Sequence, residues 1–94
     1  MVEARRAVKV RITGRVQGVY FRGWTKSEAE RLGLGGWVRN EYDGSVLALI
    51  AGLRPAVEEM LRLMHRGPLD AKVDKVAVEE ADSAEAPSGF SILH

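Results

Sequence analysis

The 94-residue chain carries 14 Lys and Arg against 13 Asp and Glu, a formal net charge of +1, and no cysteine. Such a length suits one domain with one modest core. The missing cysteines exclude disulfides, thiolate metal sites and a cysteine nucleophile, and the even charge balance offers no broad basic face for nucleic acid.

No apolar run approaches the roughly 18 residues of a membrane span. The charged segment Met1–Arg6 has no apolar signal core behind it. The expectation is a single cytoplasmic domain over 1–94, with a flexible N-terminus over 1–6 and no membrane contact.

Val8, Val10 and Ile12 alternate with Lys9, Arg11 and Thr13, a strand with one buried face that Gly14 should end. A connection then leads into a helix from about Arg22 to Leu32. Thr25 with Glu28, and Ser27 with Glu30, both have capping-box spacing, and Gly33 sits where helices commonly stop. Gly36 to Glu41 reads as a second strand carrying Trp37 and Val38. Asp43-Gly44 is a two-residue hairpin signal. Ser45 to Ala51 is apolar on both faces, which predicts a central strand.

Pro55 can open a second helix, since its missing N–H is harmless there. Leu53, Val57, Met60, Leu61 and Met64 recur at helical spacing, which makes them core candidates, and Gly67-Pro68 ends the element. Val73, Val76 and Val78 form a fourth strand, residues 82–88 an exposed loop, and Phe90 and Ile92 a short final strand. The order is βαββαβ with a short fifth strand. It predicts an α+β, ferredoxin-like sandwich: a mainly antiparallel sheet with two helices on one face.

In that topology strands one and two run parallel, with strand three between them. Their C-terminal ends share one sheet edge about 10 Å apart. The connection 15–21 leaves one end and Asn40 closes the other. A strand leading into a helix N-terminus offers unpaired N–H groups and a positive dipole end. Gly18 can adopt positive φ and let successive N–H groups converge, and Arg22 adds a planar fork suited to phosphate oxygens. Taken alone, these residues fit an ordinary strand–helix loop with a surface Arg better than they fit an anion site. The segment is neither a Walker A loop, lacking Lys-Ser or Lys-Thr after the glycine, nor a dinucleotide fingerprint, since its glycine spacing is wrong.

The chain contains one Gln, Gln17, and one Asn, Asn40. Scarce amides fit heat adaptation and equally a GC-rich genome. The surviving two lie in the two segments just singled out.

Gly14-Arg-Val-Gln-Gly-Val-Tyr-Phe-Arg22 resembles the first acylphosphatase signature, GxVQGVxFR. Gly36-Trp-Val-Arg-Asn40 with Asp43-Gly44-Ser-Val46 resembles the second, GWVxNxxDGxV. Both stand in that family's order and separation, and the likeness continues through Gly67-Pro68, Val73–Val76 and Ser88–Phe90. The resemblance implies hydrolysis of a small-molecule acyl phosphate to a carboxylate and phosphate. It implies that Arg22 binds the phosphate together with a backbone cradle at Val16, Gln17, Gly18, Val19, Tyr20 and Phe21, and that Asn40 orients the attacking water. No metal and no cofactor are expected, and a monomer is.

The chemistry agrees with the residues. A carboxylate is already a good leaving group and needs no general acid, so positioning and charge stabilisation suffice. Asn is no base near neutral pH. In the family the water's proton is assigned to the substrate's own phosphate.

His65 and His94 are expected in structural or surface roles, Trp24 and Trp37 in packing, with Trp24 near enough to Arg22 to border a pocket. Tyr20 reads equally as an acyl-side wall or a solvent-edge residue. Arg39 should point away from Asn40 as a solvated charge, and Arg15 reads as added local positive potential, not as a catalytic residue. Two alternatives stand beside the enzyme: a non-catalytic ferredoxin-like binding module, although the aromatic-rich RNA motif of such folds is missing, and the acylphosphatase-like domain of larger carbamoyl-phosphate-handling proteins.

Overall fold

A computed structural model describes residues 4–94. The elements are β1 (Arg5–Arg15), α1 (Phe21–Arg31), β2 (Gly35–Asn40), β3 (Val46–Leu53), α2 (Arg54–Met64), β4 (Lys72–Glu80), a 3₁₀ turn (Ser83–Glu85) and β5 (Phe90–Ile92). They form one five-stranded sheet in the order β4-β1-β3-β2-β5. Only the β2–β5 pairing is parallel. The ferredoxin-like order is as the pattern predicts.

Strand alternation builds the core. Val8, Val10 and Ile12 of β1, Val38 of β2, and Val46, Ala48 and Ile50 of β3 form one buried cluster with Phe21 and Ala29 of α1 and Val57, Met60 and Met64 of α2. Helix α1 lies over β2 and β5, and α2 over β1 and β3. In α2 the core positions are Val57, Met60, Leu63 and Met64. Leu53, expected among them, is the exposed residue preceding the helix, at 45% accessibility.

Strand β3 is central and buried on both faces, as its double-sided apolar pattern predicts. Leu47 and Leu49 face away from the helices yet are buried. Arg11 and Arg39 flank Leu47 in register, and Lys9 and Trp37 flank Leu49. Long aliphatic stems and an indole ring can cover such a leucine while their polar ends stay wet. The Arg39 guanidinium lies 4.9 Å from the Trp37 ring centroid, a cation–π contact. Arg39 therefore points to the face expected of it but is not simply solvated. It also pairs with Glu41 at 2.9 Å.

Three boundaries differ from the sequence expectation. Arg5 and Arg6 lie within β1, opposite Leu53 and Gly52, and Arg6 binds Glu80 at 2.7 Å; of the expected flexible segment, residues 1–3 lie outside the described residues. Strand β1 does not end at Gly14. The pairing with β4 shifts register between Thr13 and Gly14 and continues to Arg15 opposite Lys72. Gly14 has φ +122°, and a Cβ there would overlap the Lys72 carbonyl, so the glycine permits a bulge rather than a stop. The β2–β3 connection is longer than two residues. Gly44 N–H donates to the Glu41 carbonyl at 3.1 Å and Glu41 N–H to the Ser45 carbonyl at 2.9 Å, a reverse turn closed by Gly44 at φ +93°.

Candidate active site

The loop after β1 is held at both ends by buried side chains, Val16 and Phe21, each 1% exposed. Between them Gly18 has φ +74° and Tyr20 has φ +67°. A bulky residue in the left-handed region costs about 1–3 kcal/mol and needs its surroundings to hold it there. Tyr20 precedes α1 in that conformation and offers no side-chain cap. The capping-box pairs seen in sequence do not act. Thr25 and Ser27 lie inside the helix, and Thr25 is fully buried.

The first helical hydrogen bond runs from Trp24 N–H to the Tyr20 carbonyl, 3.0 Å. The N–H groups of Phe21, Arg22 and Gly23 thus precede the helical ladder, at the positive end of the helix dipole. Tyr20 folds its ring back over Gly23, where a Cβ would strike the ring. Gly23 leaves room for that ring, a requirement no motif spacing had signalled.

These groups open on a cleft of about 270 Å³ lined by Val16, Gly18, Tyr20, Phe21, Arg22, Gly23, Asn40, Ile92 and His94. Arg22 makes no ion pair among the described residues. Asn40 comes from the C-terminal end of β2, on the same strand face as the core residue Val38. Among the described residues its Oδ1 is buried without a hydrogen-bond partner, an arrangement folding alone does not favour.

Of the expected cradle, Val16, Gly18, Tyr20 and Phe21 line this cleft. Gln17 borders an adjoining groove with Asn40, Glu41 and His94. Val19 packs against the core cluster. Ile92 and His94 were not anticipated as cleft residues. The parallel pairing of β5 with β2 carries them there, through Val38 opposite Ile92 and Leu93 N–H bonded to the Val38 carbonyl at 2.8 Å.

Trp24 does not reach the cleft. It meets Phe21 edge-on at 5.4 Å and lines a separate groove with Arg66 and Gly67. His65 is structural, its Nδ1 2.9 Å from the Leu61 carbonyl. No group of three or more His, Cys, Asp or Glu side chains placed to hold a metal occurs among the described residues.

A polar network backs the site. Gln17 Nε2 donates to the Glu41 carbonyl at 2.8 Å and to the Ser45 carbonyl at 2.9 Å. Ser45, 3% exposed, donates through Oγ and N–H to Asp43 Oδ1 at 2.6 and 2.9 Å. Arg11 donates to Ser45 Oγ at 2.8 Å. The Ser45 hydroxyl, then its backbone N–H, hold the Asp43 carboxyl below its ordinary value, opposed by desolvation and helped to a lesser degree by Arg11.

A family model described as Acylphosphatase matches residues 8–92. The chain is 66% identical over 92 residues to "Acylphosphatase" of Rhizobium meliloti (strain 1021), covering 98% of this chain and 97% of that one. Among solved structures, the acylphosphatase from Bacillus subtilis superposes with a TM-score of 0.90 at 34% identity, covering 97% of this chain and 100% of that one. The acylphosphatase from Coxiella burnetii also gives 0.90 at 34% identity, covering 95% and 93%.

Proposed function

The chain belongs to the acylphosphatase family, and from that premise we propose how its cleft performs the reaction. The protein is a hydrolase of acyl phosphates, small molecules that it converts to a carboxylate and phosphate. Neither the binding module nor the carbamoyl-phosphate-handling domain is favoured, since relatives named acylphosphatase match over 98% of this chain and 97% of their own length.

In the proposed reaction the substrate phosphate seats on the Arg22 guanidinium and on N–H groups of the 16–21 cradle at the start of α1. These donors take up charge on the equatorial oxygens as phosphoryl transfer proceeds. Asn40 Oδ1 accepts a hydrogen bond from water and turns an oxygen lone pair toward phosphorus. The new bond forms between water oxygen and phosphorus. The bond from phosphorus to the acyl oxygen breaks, and its electron pair leaves on the carboxylate. The water proton passes to a phosphate oxygen.

The observation that carries this reading is the meeting in one cleft of a guanidinium and a buried amide oxygen, each without a protein partner among the described residues, with an uncapped helix start. One chain supplies every group, so the proposed reaction requires no second copy. The cytoplasmic location rests on sequence character alone, a charged chain without a long apolar segment.

Benzoyl phosphate hydrolysis in the presence of EDTA is the test. Wild type should turn over without added metal. Arg22→Ala and Asn40→Ala should each remain folded and lose about 10²–10³ in kcat, as for removal of an oxyanion-hole donor. Full activity in both variants refutes the assignment.

A further inference from the structure

We infer that the Gln17 carboxamide is a positioning residue, one that fixes the phosphate cradle relative to Asn40. The inference rests on the assignment of Arg22 and Asn40 above. Gln17 uses both hydrogens of one nitrogen, donating to the Glu41 carbonyl at 2.8 Å and the Ser45 carbonyl at 2.9 Å. Those two residues close the β2–β3 turn, and Glu41 directly follows Asn40. Each carbonyl already accepts a backbone N–H, from Gly44 at 3.1 Å and from Glu41 at 2.9 Å. Gln17 therefore fills the second lone pair of each.

The two sides of this link differ in their internal hydrogen bonding. The turn is braced by Asp43, Ser45 and Arg11. The loop 16–20 has no comparable side-chain brace of its own among the described residues. It is bent through two positive-φ residues, Gly18 and Tyr20, and among the described residues its N–H groups enter no backbone bond outside the strands and helices. Gln17 is the side chain that ties this loop to the strand end bearing Asn40. Phosphate is held on one side of the link and water on the other, so the link sets the line of attack.

A primary amide suits the task because it presents two donors to two acceptors. Glu at this position would set a carboxylate against two carbonyl oxygens, and Met would keep the length with no donor.

Steady-state kinetics on benzoyl phosphate, with inorganic phosphate as competitive inhibitor, test the role. Misplacement by about 1 Å can cost 10²-fold in rate, so Gln17→Met should lower kcat by about 10–100-fold. The phosphate inhibition constant, which reports the cradle alone, should move less than about threefold. Residues acting through one another are non-additive, so Gln17→Met should cost less than about threefold when added to Asn40→Ala. Gln17→Glu should be slower than Gln17→Met near neutral pH and recover relative to wild type as the carboxyl protonates and regains a donor.

Multiplying losses in the double variant, a phosphate constant rising in step with the fall in kcat, or an unchanged kcat overturns the positioning role. Should Gln17→Met fail to fold, the Gln17→Glu pH profile decides, a flat ratio to wild type overturning the role. If Asn40→Ala by itself keeps the wild-type rate, it is the assignment of Asn40 that falls. A large Asn40→Ala loss that multiplies with Gln17→Met refutes only the link.

Discussion

Replacing Asn40 by Val should separate stability from activity with opposite signs. Among the described residues Asn40 Oδ1 is buried without a protein partner, and an unsatisfied buried polar group costs up to about 1–3 kcal/mol, a cost that the water it is proposed to hold offsets in part. Val removes that acceptor on the strand face it shares with the core residue Val38. Strand preference adds a gain within about 1 kcal/mol, and the branched carbon consumes part of the total by crowding the cleft floor. The net expectation is a stabilisation of about 1–2 kcal/mol. For a domain of 60–100 residues each kcal/mol raises Tm by about 4–8 °C. Urea unfolding should show a higher midpoint with an unchanged slope, while hydrolysis of benzoyl phosphate falls by about 10²–10³. A variant less stable than wild type by more than about 1 kcal/mol, or one that keeps its turnover, refutes the reasoning. The first result would mean that the Asn40 oxygen serves the fold, the second that it does not serve the reaction.

Gly36→Ala should unfold the protein or cost upward of about 3 kcal/mol, because φ is +137° and the new Cβ overlaps the Leu49 carbonyl across the β2–β3 ladder; thermal denaturation reads it. Gly18→Ala meets nothing within 4 Å at φ +74°, so denaturation should show only about 1–2 kcal/mol of left-handed strain. Gly23→Ala should push the Tyr20 ring aside. An aromatic contact carries about 0.5–1.5 kcal/mol, so KM should rise severalfold more for benzoyl than for acetyl phosphate, and equal changes would show that the ring does not meet the acyl group. Ser45→Ala removes the hydroxyl that does most to lower the Asp43 carboxyl. A depressed folded pKa stabilises above the unfolded value of about 3.9 and is lost as pH falls through the folded one. The stability gap between wild type and Ser45→Ala should therefore be constant above about pH 5 and shrink in acid, and NMR titration should find the Asp43 carboxyl moved upward.

The two helices, the strand order and the central place of β3 follow from periodicity, since the burial of Val8, Val10, Ile12, Met60 and Met64 is a repeating property. The meeting of Arg22 with Asn40 was also legible, because topology alone puts the ends of β1 and β2 on one edge. Individual turns were not. Gly14 reads as a stop in sequence, but its role is set by β4, nearly sixty residues further on, which accepts a bulge there. The capping pairs of α1 had the right spacing and no effect, since the chain enters the helix through a left-handed Tyr20 that places Thr25 in the core. His94 carried no local signal at all. Its place in the cleft depends on β5 joining β2 in parallel, a pairing that three residues of strand cannot announce.

Strand β1, the first element of the chain, lies inside the sheet and is matched on one side by β4, with Val8 opposite Glu80. Its edge toward β4 can be paired only after residues 72–80 have been made. The loop that must close is long, and its entropy is spent before the ladder returns anything. Folding slower than that of helical bundles of similar length is the expected consequence. During synthesis Val8, Val10 and Ile12 wait uncovered until α2 can pack over β1, and the β1 edge waits unpaired until β4 follows, which makes the nascent chain more vulnerable to association than the finished enzyme.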